Sequence, residues 1–224
     1  IHAHDKTEDN AIDNELKVFF PFFFLKDDPS LIDPQNLNYV YQYYLLENLG
    51  VGLVRDAPKG STGYVGGLAE DWCHDGDTWT FSLRQNLKWS DGTTISPEEI
   101  VEHIEAISSR DSRHLVLMRT LENVDYHADK HAVVLRFSEE TTESLLHELS
   151  LADAVLTQSS AGNWSKTTGA YFVQAYDYGS KTLELARNPY FVADISGAPA
   201  KVLLFDVHQR ADLAELFGEI ETDL

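Results

Sequence analysis

The stretch from Leu68 to Ile100, LAEDWCHDGDTWTFSLRQNLKWSDGTTISPEEI, decides the fold. Its two turn signals, Asp75-Gly76-Asp77 and Ser90-Asp91-Gly92, flank Trp79 to Leu83, a run whose aromatic and β-branched content predicts a strand. A helix start follows at once. Ser96 is placed to cap the first turn, Pro97 falls where a missing N–H costs nothing, and Glu99 stands three residues after the cap to close a capping box. Ile100, Val101, Ile104 and Ile107 then recur at helical spacing and predict one apolar stripe against a core.

Upstream, Glu15 to Phe20 reads as a first strand, and Pro21 either ends its ladder or places it at a sheet edge. Residues 1–14 are polar and acidic and are expected to form a mobile tail, leaving 15–224 as the folded unit. Asp27 to Pro34, DDPSLIDP, is a turn-rich connection. Leu37, Val40, Tyr41, Tyr44, Leu45 and Leu49 recur at three- and four-residue spacing, so a helix is expected here, ending at Gly50. Gly60, Gly63, Gly66 and Gly67 are read as shaping a loop between strands.

Downstream, Leu121 to Tyr126 and His131 to Phe137 form a hairpin by pattern, and Leu145, Leu146 and Leu149 mark a short helix. A Ser-, Thr- and Gly-rich loop, 159–168, precedes an expected strand from Ala170 to Tyr176, which turns at Tyr178-Gly179-Ser180 into Thr182 to Arg187. A strand from Val202 to Val207 and a helix carrying Leu213, Leu216 and Phe217 complete the reading. The sum is an α/β chain with mixed sheet and flanking helices.

Composition narrows the functional classes. Seventeen basic against 37 acidic residues give a net charge of −20, which repels phosphate backbones, so direct nucleic-acid binding is not expected. Cys73 stands alone, so the chain forms no internal disulfide. The most apolar segment, LKVFFPFFFL at 16–25, is shorter than a membrane span and is interrupted by Pro21. The opening IHAHDKTEDN has neither the basic start nor the small-residue cleavage site of a secretion signal, and a mature or trimmed product is expected.

Candidate chemistry is sparse. His127 and His131 stand four apart like a helical metal pair, but they bracket a hairpin turn. Asp75, Asp77 and Asp91 resemble calcium-loop acids, yet Asn86 occupies the place where the loop from Asp75 needs a glutamate. No Gly-x-Ser-x-Gly elbow and no phosphate-binding glycine loop occurs. Asn163-Trp164-Ser165 matches the glycosylation pattern, a three-residue signal. Neither a catalytic residue nor a cofactor is expected from these patterns.

Taken in register, the Leu68–Ile100 string resembles the extracellular solute-binding proteins of the peptide and nickel class, family 5, which serve ABC importers. Thr168-Gly169-Ala170-Tyr171 is similar to the family's Thr-Gly-Pro-Tyr, and Leu185-Ala186-Arg187-Asn188-Pro189-Tyr190-Phe191 to its Leu-x-Arg-Asn-Pro-x-Tyr-Trp. Ile32-Asp33-Pro34 and Gly218-Glu219-Ile220-Glu221 match two further steps, whereas Gly50-Val51 replaces the usual aromatic and acid before Gly52-Leu53.

The resemblance implies the first lobe of a type II-like periplasmic binding protein, periplasmic or extracellular, with or without a membrane anchor in the full gene product. Family chains are about twice as long, so the expectation is one wall of a two-lobed cleft. It implies a peptide or other small solute as ligand, and ABC transporter membrane subunits as partners. Ligand contacts are implied at Asn36, Asn38, Tyr39, Thr168 and Tyr171. The alternatives for those residues are a Tyr39 packed on its helix, an Asn38 that caps it and a Tyr171 in the core. Two other functional readings remain at this level: a cytoplasmic ligand-sensing domain of a transcriptional regulator, and a hydrolase.

Overall fold

A computed structural model of the protein describes residues 14–20, 40–110, 112–158 and 164–206. The capped helix is where the residues placed it. α2 runs Pro97–Ser108, and Ser96 Oγ accepts from the Glu99 N–H at 3.2 Å while Glu99 Oε2 accepts from the Ser96 N–H at 2.7 Å. Both donors are orphans that a helix start otherwise leaves to water. Glu99 Oε1 also accepts from Trp89 Nε1 at 3.3 Å, so the cap is fastened to the preceding loop.

That loop joins α2 to the strand β5, Thr78–Leu83, whose Trp79, Phe81 and Leu83 are buried while Thr78, Thr80 and Ser82 are half-exposed. The strand expected from 79 to 83 has a partner that the pattern did not reveal. β4, Ala69–Asp75, pairs antiparallel with β5 across Gly76, which turns at φ 59°. Its sequence is acidic and mostly exposed, because it lies at the sheet edge. On the other side β5 pairs with β7, Ala132–Phe137, and β7 with β6, Leu121–His127, giving an antiparallel sheet in the order β4-β5-β7-β6. The β6–β7 hairpin places His131 at φ 48°, with Nδ1 2.7 Å from the Tyr126 hydroxyl.

α2 and α3, Ser144–Ser150, supply apolar side chains to one core with this sheet, including Phe81, Trp89, Ile100, Ile104, Ile107, Leu135 and Leu145. Trp79 Nε1 donates to Thr141 Oγ1 at 2.6 Å, so the buried indole keeps a polar partner. Ile100, Ile104 and Ile107 are buried as expected, but Val101 is only half-buried and His103 takes the inward place. His103 Nε2 lies 3.1 Å from the Ala154 carbonyl, so the neutral ring donates there.

A second sheet has the order β1-β10-β9-β8, with β1 at Glu15–Phe20, β8 at Tyr171–Asp177, β9 at Thr182–Arg187 and β10 at Lys201–Asp206. β1 runs parallel to β10 while the other pairs are antiparallel, which makes the sheet mixed. Asn14, the last residue of the expected tail, accepts from the Lys201 and Ala200 N–H groups. A core of Leu45, Leu46, Leu49, Trp164, Tyr171, Val173, Leu183 and Leu204 joins this sheet to α1, Val40–Leu49.

On α1 the inward face takes only part of the expected set, Leu45 and Leu49. Gln42, Leu45, Leu46 and Leu49 are buried, whereas Val40, Tyr41 and Tyr44 are exposed. Aromatic and aliphatic residues cover both sides of this helix, so apolar spacing alone did not select a face. β2, Val54–Asp56, and β3, Tyr64–Gly66, form a small antiparallel pair around a loop in which Gly60 and Gly63 have positive φ. Among the described residues no helix is long and apolar enough to cross a membrane. The helix expected at 213–217 and the start of the first helix at Leu37 lie outside the described residues.

Truncating Phe81 to Ala is expected to cost about 3 to 5 kcal/mol in denaturant unfolding, since it empties the centre of the larger core. Ser96→Ala is expected to cost about 1 kcal/mol, the worth of one cap. The buried His103 predicts a pH dependence. Burial first, and the nearby Arg110 charge second, lower its pKa from 6.5 to about 4, against the opposing bond to Ala154. Between those values the unfolded chain binds a proton that the folded chain does not. Stability therefore falls as pH drops from 6.5 to about 4, by about 3 kcal/mol in all. Urea midpoints across this range are expected to lose that component in a His103→Gln variant.

Candidate functional site

The segment Thr167-Thr168-Gly169-Ala170-Tyr171 enters β8 through a node where both cores meet. Gly169 donates its N–H to the Leu49 carbonyl at 3.2 Å, directly at the end of α1. A side chain at this position would place its Cβ 2.4 Å from the Asn48 oxygen and 2.4 Å from the Gly50 nitrogen, so only glycine allows the approach. Thr168 Oγ1 accepts from the Val51 N–H at 3.0 Å and donates to the Leu156 carbonyl at 3.2 Å. Leu156 in turn donates its N–H to the Val51 carbonyl at 3.0 Å.

Two further segments converge on the same five residues. Ser90, in the turn before α2, donates its N–H to the Thr167 carbonyl at 2.9 Å and accepts from the Thr167 N–H at 3.0 Å through Oγ. Asn188, just past β9, donates Nδ2–H to the Gly169 carbonyl and its backbone N–H to the Ala170 carbonyl, both at 2.8 Å. Its Oδ1 accepts from the Tyr190 N–H at 2.9 Å. Asn188 is 1% exposed, so its amide bond to Gly169 is made away from water.

Around the node, Lys166 Nζ lies 3.6 Å from Asp91 Oδ2 and sits over the Trp89 ring, while Lys88 sits over Tyr190. Hydrogen bonds from the Thr93 hydroxyl, then its N–H, hold the Asp91 carboxyl below its usual range. Arg187 Nη1 donates to the Ile195, Ser196 and Ala198 carbonyls and braces the loop leading to β10. Tyr171 donates its hydroxyl to the Pro199 carbonyl at 2.9 Å in the same loop.

Of the residues the resemblance marked for ligand contact, Thr168 and Tyr171 are brought together here, with their hydroxyls engaged by the protein's own backbone. Asn36, Asn38 and Tyr39 lie outside the described residues. Ser90 reads from the sequence only as a turn residue and Asn188 only as a member of a quoted motif, so neither was marked for the site. Among the described residues no group of three or more His, Cys, Asp or Glu side chains is arranged to hold a metal ion.

The node predicts specific losses. Gly169→Ala is expected to destabilise by about 3 kcal/mol or more, because the clash is with fixed backbone rather than a movable side chain. Asn188→Asp retains the acceptor for Tyr190 but withdraws the donor to Gly169. It is expected to cost at least as much as Asn188→Ala, about 1 to 3 kcal/mol, in thermal or urea unfolding.

The family model for bacterial extracellular solute-binding proteins, family 5 middle, matches residues 63–214. The periplasmic murein peptide-binding protein of Escherichia coli (strain K12) is 36% identical over 78 residues, 34% of this chain and 14% of that protein. The nickel-binding periplasmic protein of the same strain is 38% identical over 63 residues, 27% of this chain and 12% of that protein. The unliganded open form of the murein tripeptide-binding protein superposes with a TM-score of 0.71 at 19% identity, covering 92% of this chain and 44% of that one. The Haemophilus influenzae oligopeptide-binding protein, in complex with RPPGFSPFR, gives 0.72 at 17%, covering 93% and 45%. The chain thus spans less than half the length of these proteins. The matched residues include β4, β5, α2 and the whole Thr167–Tyr171 node, and the chain belongs to the bacterial extracellular solute-binding proteins of family 5.

Proposed function

We propose that these residues form one wall of a cleft that binds a small solute, a peptide, in the extracytoplasmic substrate-binding component of an ABC importer. The observation that carries this reading is the family match over 63–214, joined to a fold shared with an open peptide-binding protein over nine-tenths of the chain. Three relatives named for peptide or dipeptide binding, at 32 to 36% identity over partial lengths, favour a peptide among the possible solutes. The protein acts without chemistry of its own, outside the cytoplasm, and hands its ligand to the importer's membrane subunits.

In this reading Asn36, Asn38 and Tyr39 contact the ligand, offering polar and stacking groups along an extended peptide. Thr168 and Tyr171 hold the wall in place, because their hydroxyls are already committed to Leu156 and Pro199. A two-lobed site gains affinity when closure buries the ligand and excludes water. If closure supplies half of a micromolar site's roughly 8 kcal/mol, one wall binds at about millimolar level.

Calorimetric titration of a peptide library into this chain, and into a longer product carrying both lobes, tests the proposal. Millimolar binding by the first, tight binding by the second and peptides recovered intact are expected. Submicromolar binding by this chain alone would overturn the one-wall reading. A longer product that binds nickel but no peptide would overturn the choice of ligand.

A further inference from the structure

Away from the Thr167–Tyr171 node, two arginines are gathered on one carbonyl. Arg55, in the middle of β2, donates Nε–H to the Gly66 oxygen at 3.2 Å, and Arg84, the residue after β5, reaches the same oxygen through Nη2 at 3.4 Å. Arg84 Nε–H donates to the Gly67 carbonyl at 2.8 Å. The backbone beneath them is fixed. Gly67 N–H bonds the Leu53 carbonyl, Arg84 N–H bonds the Leu68 carbonyl, and Arg55 lies opposite Val65 in the β2–β3 ladder.

A side chain on Gly66 would set its Cβ 2.9 Å from Arg84 Nη2 and 2.4 Å from the Ala69 oxygen, so the missing side chain is what lets the two guanidinium groups close on each other. Both arginines are half-buried. Neither has a carboxylate within 4 Å among the described residues, in a chain with 37 acidic residues against 17 basic ones. Burial first, and the charge of Arg84 second, push the Arg55 pKa below its usual range.

Like charges held together cost energy unless an opposite charge is delivered to them. Among the described residues both Nη groups of Arg55 and Nη1 of Arg84 make no hydrogen bond, and paired N–H groups of a guanidinium match the oxygen spacing of an oxyanion. We propose that Arg55 and Arg84 form a binding site for a doubly charged oxyanion, of the class of phosphate and sulfate, whose two charges neutralise both guanidinium groups. A net charge of −20 repels anions from the surface at large, so such binding would be local to this pair.

Sulfate and inorganic phosphate titrated into the 224-residue chain at constant ionic strength, read by NMR of the arginine Nε–H groups, test the site. Saturable shifts of Arg55 and Arg84 in the millimolar range are expected, with acetate at least tenfold weaker. Arg55→Lys keeps a charge but loses the fork, and it is expected to weaken sulfate binding at least tenfold, as is Arg84→Lys. Circular dichroism checks that each variant is folded, and Arg55→Gln provides a third variant should Arg84→Lys fail to fold. Absence of saturable shifts in the wild type, acetate binding as tightly as sulfate, or unchanged affinity in the folded Arg55 variants would each overturn the proposal.

Discussion

The approach of Gly169 to the end of α1 sets the distance between the two cores. α1 contributes Leu45, Leu46 and Leu49 to one core, while Val51 and Leu156, two residues bonded at the same node, belong to the other. Each bond at the node contributes about 1 kcal/mol net, but leaving a buried partner unmatched costs about 1 to 3 kcal/mol. Thr168, Ser90 and Asn188 are all buried, so the network tolerates no partial version of itself. Outside the node, Gly52 and Gly67 likewise bring backbone onto backbone, Gly52 against the Leu149 carbonyl and Gly67 against the Gly52 carbonyl.

What was legible in the sequence was short-range. The capping box of α2 is an exchange between residues three apart, and the β5 alternation is a period of two; both can be read from a line of letters. β4 was hidden because it is an edge strand with three acids among its seven residues, and its strand character comes from its pairing with β5 rather than from its own residues. His103 escaped because a polar letter on an apolar stripe looks like an interruption. Its ring is accommodated only because the Ala154 carbonyl, 51 residues away, meets it.

The node illustrates the same limit from the functional side. The quoted motifs contained Ser90, Thr168 and Asn188, but the bond from Val51 to Thr168 spans 117 residues and that between Thr167 and Ser90 spans 77. No spacing rule reaches so far, so Ser90 read as a turn residue and Thr168 as a candidate contact. The resemblance supplied the strings without their mutual bonding. Once that bonding is known, the polar groups of Thr168 and Tyr171 are already satisfied.

β1 and β10 impose a further order. They lie side by side in parallel, with Glu15 opposite Lys201, so the sheet joins strands from the two ends of the described chain. The β4–β5, β6–β7 and β8–β9 hairpins are local by contrast. α1 packs against the sheet containing β1, and Gly169 holds the end of α1. Residues 21–39 run from the end of β1 to the start of α1, and both attachment points are set by these two constraints. The segment proposed to carry Asn36, Asn38 and Tyr39 thus starts and ends at backbone held by the β1–β10 ladder and by the Gly169 approach to α1.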